Sequence, residues 1–178
     1  MPDTELLIPL AEIAGVFVGF GALIAVRSSG PTEATEVAPM RMVVSMGMLA
    51  VAGGLVPGTL GHFDLTEHGV WALSSVLVLA GWSAIGVASL RTPEYRASWA
   101  AEIEETRAGS RPGWLSMVEY ALYVPFMLAT LLTPVVIVLG VVPELEAALY
   151  YAVVVLILLG AGWALLGLVF AQRAPTRA

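Results

Sequence analysis

The stretch from Leu6 to Val26 constrains this chain more than any other part of its sequence. It contains twenty-one residues, LLIPLAEIAGVFVGFGALIAV, and Glu12 is its only ionisable residue. A helix of this length spans roughly 31 Å, close to the hydrocarbon thickness of a bilayer. The stretch therefore predicts a transmembrane helix that carries one carboxyl group.

The composition extends this prediction to the whole chain. Of its 178 residues, 58% are hydrophobic and only 12% are charged, and the mean hydropathy is +0.87. No polar stretch is long enough to fold as a separate soluble domain, so we expect residues 1–178 to form a single polytopic domain in the cell (inner) membrane. The net charge of −6 argues against a nucleic-acid partner.

Five apolar runs are long enough to cross a bilayer as helices. They cover residues 6–26, 42–60, 70–90, 115–142 and 147–171. The eight basic residues are all arginines, and a five-span arrangement places them all on the same side of the membrane. By the positive-inside rule this side is cytoplasmic, so we expect the N-terminus outside and the C-terminus in the cytoplasm. The predicted fold is an all-α integral membrane protein with five transmembrane helices.

The longest polar segment predicts an additional cytoplasmic helix over residues 93–108. Thr92 and Pro93 suit its N-cap and first position, and Gly109 suits its end. Its apolar positions recur every fourth residue, at Tyr95, Trp99 and Ile103. This amphipathic helix is suited to lie on the membrane surface, against its own bundle, or against a cytoplasmic or membrane partner.

The second span is bordered by two signals for irregular structure. Residues 28–39, which precede it, are rich in turn-forming and small polar residues and predict a solvated loop. Near its other end, Pro57 removes a backbone donor within a glycine-rich stretch. That signal predicts a kink or an early unwinding of the helix.

Glu12 is the main functional signal in the sequence. A charged, unpaired carboxylate in hydrocarbon is costly, so Glu12 should face the protein interior or water, or be protonated. On a helical wheel it shares one side with Gly15 and Gly19, which suits close helix packing or a water-filled path. Its companions would be hydroxyls, backbone amides, water, a cation, or the same residue of a second copy. A purely structural buried acid is the alternative.

A second intramembrane acid, Glu119, begins a polar stripe on the fourth span. Tyr123, Thr130 and Thr133 fall within about 40° of it on the wheel. These groups can line an ion or proton path, or the hydroxyls can bond to carbonyls that prolines in the same helix release. Because Glu119 is near the inner end of its span, it can reach the interface, and we expect it to be subordinate to Glu12.

Small residues and aromatic residues predict the remaining helix contacts. Gly160 and Gly167 share one side of the fifth span and predict a packing groove, as Gly15 and Gly19 do on the first span. Three aromatic residues near the starts of the third and fifth spans predict a belt at the outer interface: Trp71, Tyr150 and Tyr151.

The loop between the second and third spans holds both histidines of the chain. His62 and His68 occur there with Asp64 and Glu67, residue types that bind metals and respond to protons. The simpler interpretation is that Asp64 caps the third helix, that Glu67 reaches back as in a capping box, and that both histidines are solvated. We therefore predict no metal and no cofactor, with His62, Asp64 and His68 as the candidate ligands if a metal binds.

The sequence lacks the motifs of soluble enzymes, such as a phosphate loop, G-x-S-x-G or H-E-x-x-H, and we do not expect an enzyme. Our leading hypothesis is a small homo-oligomer that forms or gates an ion or proton path through its intramembrane carboxylates. Five helices enclose little interior of their own, so symmetric assembly would bury Glu12. The alternative is a non-conducting accessory or scaffold subunit of a larger membrane complex, docked through residues 93–108.

The five-span topology predicts that Thr66 and Ser110 lie on opposite sides of the membrane. The chain has no cysteine of its own, so a single introduced thiol can be followed. In intact cells an impermeant thiol reagent should label a Thr66→Cys variant readily, and a Ser110→Cys variant only after lysis. Equal labelling of the two variants would contradict this topology.

Overall fold

The computed structural model describes residues 5–27, 34–93, 96–97, 100, 104 and 113–171. These residues form five long α-helices and no strand. The helices are α1 (Leu7–Arg27), α2 (Ala34–Leu60), α3 (Glu67–Arg91), α4 (Gly113–Val138) and α5 (Glu146–Ala171). A 3-10 turn, Pro143–Leu145, leads into α5. The all-helical architecture expected from the sequence is confirmed.

Four of the described helices contain segments long and apolar enough to cross a membrane. These segments are Met40–Leu60, Glu67–Arg91, Ala121–Val138 and Pro143–Leu166. Helix α1 contains a shorter apolar segment, Leu7–Leu23. The helices are therefore compatible with a multi-pass membrane protein, and the sidedness of the two termini stays a prediction.

Neighbouring helices run antiparallel, as short connections between packed helices require. Along α1 and α2, Gly54 lies against Ala11 and Gly47 lies against Val18, so one helix ascends as the other descends. The same reversal relates α2 to α5, where the adjoining pairs are Gly53 with Val154 and Met46 with Gly160. The start of α1 thus lies at the same end of the bundle as the α2–α3 and α4–α5 connections.

Helices α2 and α5 form the centre of the bundle. Helix α1 packs against α2 and α5, whereas α4 packs against α3 and α5. The side chains between the central pair are large and apolar, and include Met46, Leu49, Val153, Val154 and Ile157. Since lipid tails are as apolar as these side chains, close packing rather than escape from water holds such helices together in a bilayer.

A close approach between α1 and α2 depends on two glycines that are seven residues apart. A Cβ atom on Gly54 would lie 2.9 Å from both the Ala11 Cβ and the Leu7 carbonyl oxygen. A Cβ atom on Gly47 would lie 2.7 Å from Val18 Cγ2. A real Cβ atom does not make non-bonded contacts this short, so the two backbones can approach closely only because these positions carry no side chain.

The structure describes only parts of the two polar segments at residues 28–39 and 93–108. Residues 34–39 are helical, so the irregular loop predicted over residues 28–39 is wrong in that half, where Ala34, Glu36 and Ala38 favour helix. Residues 28–33 lie outside the described residues. Most of the predicted cytoplasmic helix at residues 93–108 lies outside them as well.

Helix α3 is capped by Thr66 and not by Asp64. The Thr66 Oγ1 atom accepts a hydrogen bond from the Gly69 N–H at 3.1 Å, and the helix begins at Glu67. Asp64 is exposed and precedes the cap by two residues. The predicted capping box of Asp64 and Glu67 is therefore wrong, because a closer hydroxyl reaches the free N–H groups of the first turn.

Helix α4 ends at Val138, four residues earlier than the predicted span. Gly140 has a φ of 61°. Its N–H donates to the Ile137 carbonyl at 2.9 Å, and the N–H of Val141 donates to the Val136 carbonyl at 3.3 Å. These two bonds form a Schellman motif, in which a left-handed glycine closes the helix. Hydropathy alone does not reveal this boundary.

The α1–α2 approach predicts opposite effects for two glycine substitutions. Gly54→Ala should lower the free energy of unfolding by about 1–3 kcal/mol, because the added Cβ meets backbone that cannot yield. Gly86→Ala is the matched control, since nothing lies within 4 Å of a Cβ at that position of α3. It should leave stability unchanged or raise it by up to about 1 kcal/mol. Unfolding of the purified protein in mixed micelles measures both, and equal stability of the two variants would contradict the close approach.

Candidate functional site

The structure places Glu12 on the outer face of α1. Its side chain is exposed and makes no hydrogen bond or ion pair with the described residues. Five residues separate it from the start of the helix, a rise of about 7.5 Å. Within a single chain the carboxyl group therefore faces away from the bundle interior.

Apolar side chains surround Glu12 on this face and point outward with it. They are Ile8, Val16, Phe20 and Leu23, each more than half exposed in the single chain. In a membrane such a surface contacts lipid or another helix. An unpaired charged carboxylate deep in hydrocarbon costs about 3 kcal/mol on insertion scales, so this surface is an unfavourable place to leave it alone.

Gly15 and Gly19 form an open groove beside this acid. A Cβ atom built at either position would meet no atom within 4 Å. The opposite side of α1, with Leu7, Ala11 and Ala14 buried, is the side that packs in the bundle. The groove is thus left open by the part of the chain that the structure describes.

Sequence reasoning missed the glycines that hold α1 in place. The wheel of α1 predicts close packing at Gly15 and Gly19, whereas within one chain the close approach is made by Gly47 and Gly54 of α2. A signal for them exists, because a seven-residue spacing returns to nearly the same side of a helix after two turns.

The polar stripe on α4 passes from the surface into the bundle. Tyr123 is exposed, Thr133 is half-buried and Thr130 is buried. The Thr130 hydroxyl donates to the Phe126 carbonyl at 2.8 Å, the four-residue back-bond common for threonine in helices. The side chain of Glu119 lies outside the described part of the structure.

Glu12 and the α4 stripe lie on different sides of the chain. Between them runs α5, where a Cβ atom on Gly160 would collide with Met46 of α2 and Phe126 of α4. The intervening space is therefore filled by packed side chains, and a single chain does not join the two polar sets. The surroundings of Gly167 lie outside the described part.

A buried carboxylate that sequence reasoning missed, Glu146, begins α5. It is only 3% exposed, and its Oε1 lies 2.7 Å from Nδ1 of His68, which is half exposed. The bond ties the start of α3 to the start of α5 across 78 residues of sequence. The His68 ring also lies over Gly140, where a Cβ would come within 3.3 Å of it. No sequence pattern connects residues so far apart, so the sequence does not distinguish Glu146 from the other acids at helix ends.

The contacts of the two histidines are with residues outside the predicted cluster of His62, Asp64, Glu67 and His68. His62 and Asp64 are exposed, and His62 Nδ1 lies 2.8 Å from the Gly58 carbonyl oxygen. His68 bonds instead to Glu146. Among the residues that the structure describes, no three histidine, aspartate or glutamate side chains are arranged to hold a metal ion.

Two of the three aromatic residues predicted to form an interfacial belt are buried in the bundle. Trp71 is 1% exposed and Tyr150 is fully buried. The Trp71 ring lies 5.5 Å from that of Tyr150 and 6.0 Å, edge to face, from that of Tyr151. The belt assignment is therefore wrong for Trp71 and Tyr150, because ring packing among α3 and α5 takes precedence over the interface.

Tyr150 has a specific polar role in this core. Its hydroxyl donates to the Gly53 carbonyl of α2 at 2.9 Å. In an unbroken helix that carbonyl would accept from the N–H four residues later, which is Pro57 and has none. With this replacement donor α2 continues as helix to Leu60, so the predicted early unwinding at Pro57 is wrong.

The His68–Glu146 bond predicts unequal roles for the two histidines. His68→Ala should lower the free energy of unfolding by about 1–3 kcal/mol, because it removes the bonded partner of a buried carboxyl group. His62→Ala, the matched control at an exposed site, should change it by less than about 0.5 kcal/mol. Unfolding in mixed micelles at neutral pH tests this, and equal effects would rule out a stabilising role for the pair.

No protein-family model, curated protein or solved structure matches this chain. A functional proposal therefore rests on the residues described above. Two features stand out chemically: an exposed acid beside an open groove on α1, and a buried polar contact where α2, α3 and α5 meet.

Proposed function

We propose that this protein is a small homo-oligomer of the cell (inner) membrane that forms or gates an ion or proton path, with Glu12 as its functional acid. The supporting observation is the exposed Glu12 carboxyl on an apolar face, next to the open groove of Gly15 and Gly19. Helix α1 uses its other side to pack in the bundle. The face that carries the acid is the one left for a neighbouring chain.

Assembly through this face removes the cost of exposing the acid to lipid. Glycines allow two helix backbones to approach closely, and the groove of Gly15 and Gly19 begins less than one turn from Glu12. In a symmetric contact the same patch is used by both copies. Two Glu12 side chains would then face the same interface, shielded by the outward apolar residues of α1.

Carboxyl groups brought together in this way favour a bound proton or cation. Two carboxylates in one site cannot both be ionised without a strong penalty, which a shared proton or a bound cation relieves. All eight basic residues of the chain are arginines at the ends of the predicted spans or beyond them, so no basic side chain within a span competes as counter-ion. An interface of this kind has the chemistry to bind and pass protons or monovalent cations.

The α4 stripe has a secondary place in this proposal. Thr130 is committed to the Phe126 carbonyl, and α4 lies away from α1 within the chain. Glu119, Tyr123 and Thr133 can contribute to the path only where a second copy brings α4 close to the Glu12 interface. We therefore assign Glu119 a weaker effect on transport than Glu12.

Glu12→Gln keeps the size of the side chain and removes its charge. In liposomes it should lower proton or cation flux by more than about tenfold, corresponding to the loss of at least 1.4 kcal/mol of interaction with the moving ion. Glu119→Gln should have a milder effect. Glu5→Gln is the matched control, since it removes an exposed carboxyl just before α1, and it should conduct like the parent.

Assembly is tested separately from flux. The double variant Gly15→Leu and Gly19→Leu should dissociate the oligomer in nanodiscs, whereas Gly86→Leu, at another open position, should leave its mass unchanged. Parent-like flux through Glu12→Gln would overturn the path. An intact parent oligomer without flux of protons or common cations would favour the accessory or scaffold subunit instead.

A further inference from the structure

A small cavity lies where α2, α3 and α5 meet. Its volume is about 30 Å³, and its walls are mostly apolar, with Leu49, Val56 and Val78 among them. Gly53, Ser74 and Tyr150 also line it, and each of them carries a polar group. A cavity needs about 10–15 Å³ to hold one water molecule, so this one is large enough.

Ser74 is the unexplained polar residue of this cavity. It is fully buried, and its hydroxyl has no hydrogen-bond partner among the described residues. The Tyr150 side chain lines the same cavity, but its hydroxyl donates its proton to the Gly53 carbonyl. A buried hydroxyl without a partner has lost its hydrogen bonds to water without replacement, and a bound polar molecule would restore one of them.

We propose that this cavity is a binding site for one ordered water molecule, held by the Ser74 hydroxyl, the Tyr150 hydroxyl oxygen and the Gly53 carbonyl. Water bound inside proteins typically makes about three hydrogen bonds, the number available here. The Tyr150 oxygen can accept a hydrogen bond while its O–H donates to the Gly53 carbonyl, and that carbonyl has a second lone pair. The site is independent of Glu12 and of the proposed path.

Ser74 and Gly53 lie at one depth in the bundle, and the Tyr150 hydroxyl reaches the same depth because it bonds to the Gly53 carbonyl. Ser74 follows the start of α3 by seven residues, and Gly53 precedes the end of α2 by seven, so each lies about 10 Å from the same end. The water would thus sit within the apolar part of the bundle, next to the backbone that Pro57 interrupts. Ordered water at a proline-interrupted helix is one of the ways in which membrane proteins satisfy released carbonyls.

The chemistry of the site selects water over other occupants. Three neutral oxygen atoms are too few for a dehydrated divalent cation, which takes about six or more oxygen ligands. A lipid methyl group would fit the apolar walls and leave Ser74 without a partner. A single water molecule is the occupant that satisfies the hydroxyl and fits the volume.

The site can be tested by measuring how fast magnetisation passes from water to nearby residues. The measurement uses proton-detected solid-state NMR on glycine- and serine-labelled protein in lipid bilayers. In the parent, magnetisation should pass from water to Gly53 and Ser74 several times faster than to Gly47, which is also buried on α2. Similar slow transfer at Gly53 and Gly47 would overturn the proposal and indicate a dry cavity.

Ser74→Ala and Ser75→Ala form a matched pair of variants. Both serines are fully buried and lack a described partner, but only Ser74 borders the cavity. Ser74→Ala should abolish the fast transfer to Gly53 and lower the thermal midpoint, because the water loses one of its three bonds. Ser75→Ala should keep the transfer and leave the midpoint unchanged or higher. Fast transfer that survives in Ser74→Ala, or is lost in both variants, would contradict this assignment.

Discussion

The hydrogen bond from Tyr150 to the Gly53 carbonyl holds together the centre of this bundle. It supplies the donor that Pro57 lacks, and so allows α2 to continue as a helix in surroundings without bulk water. It also positions α5 against α2, and the Tyr150 ring packs at a tilt against the Trp71 ring of α3. One tyrosine side chain therefore links the three helices that contribute most of the core.

Helix α1 is attached to this centre along one side only. Its buried side meets the glycines of α2, and its other side combines an acid, two open glycines and large apolar side chains. The inner side makes the fold of a single chain, whereas the outer side has chemistry that a single chain does not use. The division of α1 into two faces is why the proposed function rests on contacts between copies.

Much of the fold could be predicted from the sequence, because runs of apolar residues report directly on the length of a membrane helix. The sequence does not reveal which face of α1 packs within the chain, because Ala11 and Ala14 on one side are nearly as small as Gly15 and Gly19 on the other. Contacts between residues far apart in the sequence could not be predicted, for a different reason. Whether a tyrosine near a helix end lies in a belt or in the core depends on its distant neighbour, which for Tyr150 is 97 residues away. The same limit applies to Glu146 and His68.

The seven-residue spacing of Gly47 and Gly54 has a consequence for how the protein is made. These glycines receive Leu7, Ala11 and Val18, so the surface that holds α1 belongs to the next helix to leave the ribosome. A hairpin of α1 and α2 can thus form as soon as the second helix enters the bilayer, before the rest of the bundle exists. Because this pairing turns Glu12 outward, the acid lies on the open surface of the hairpin before the rest of the bundle folds.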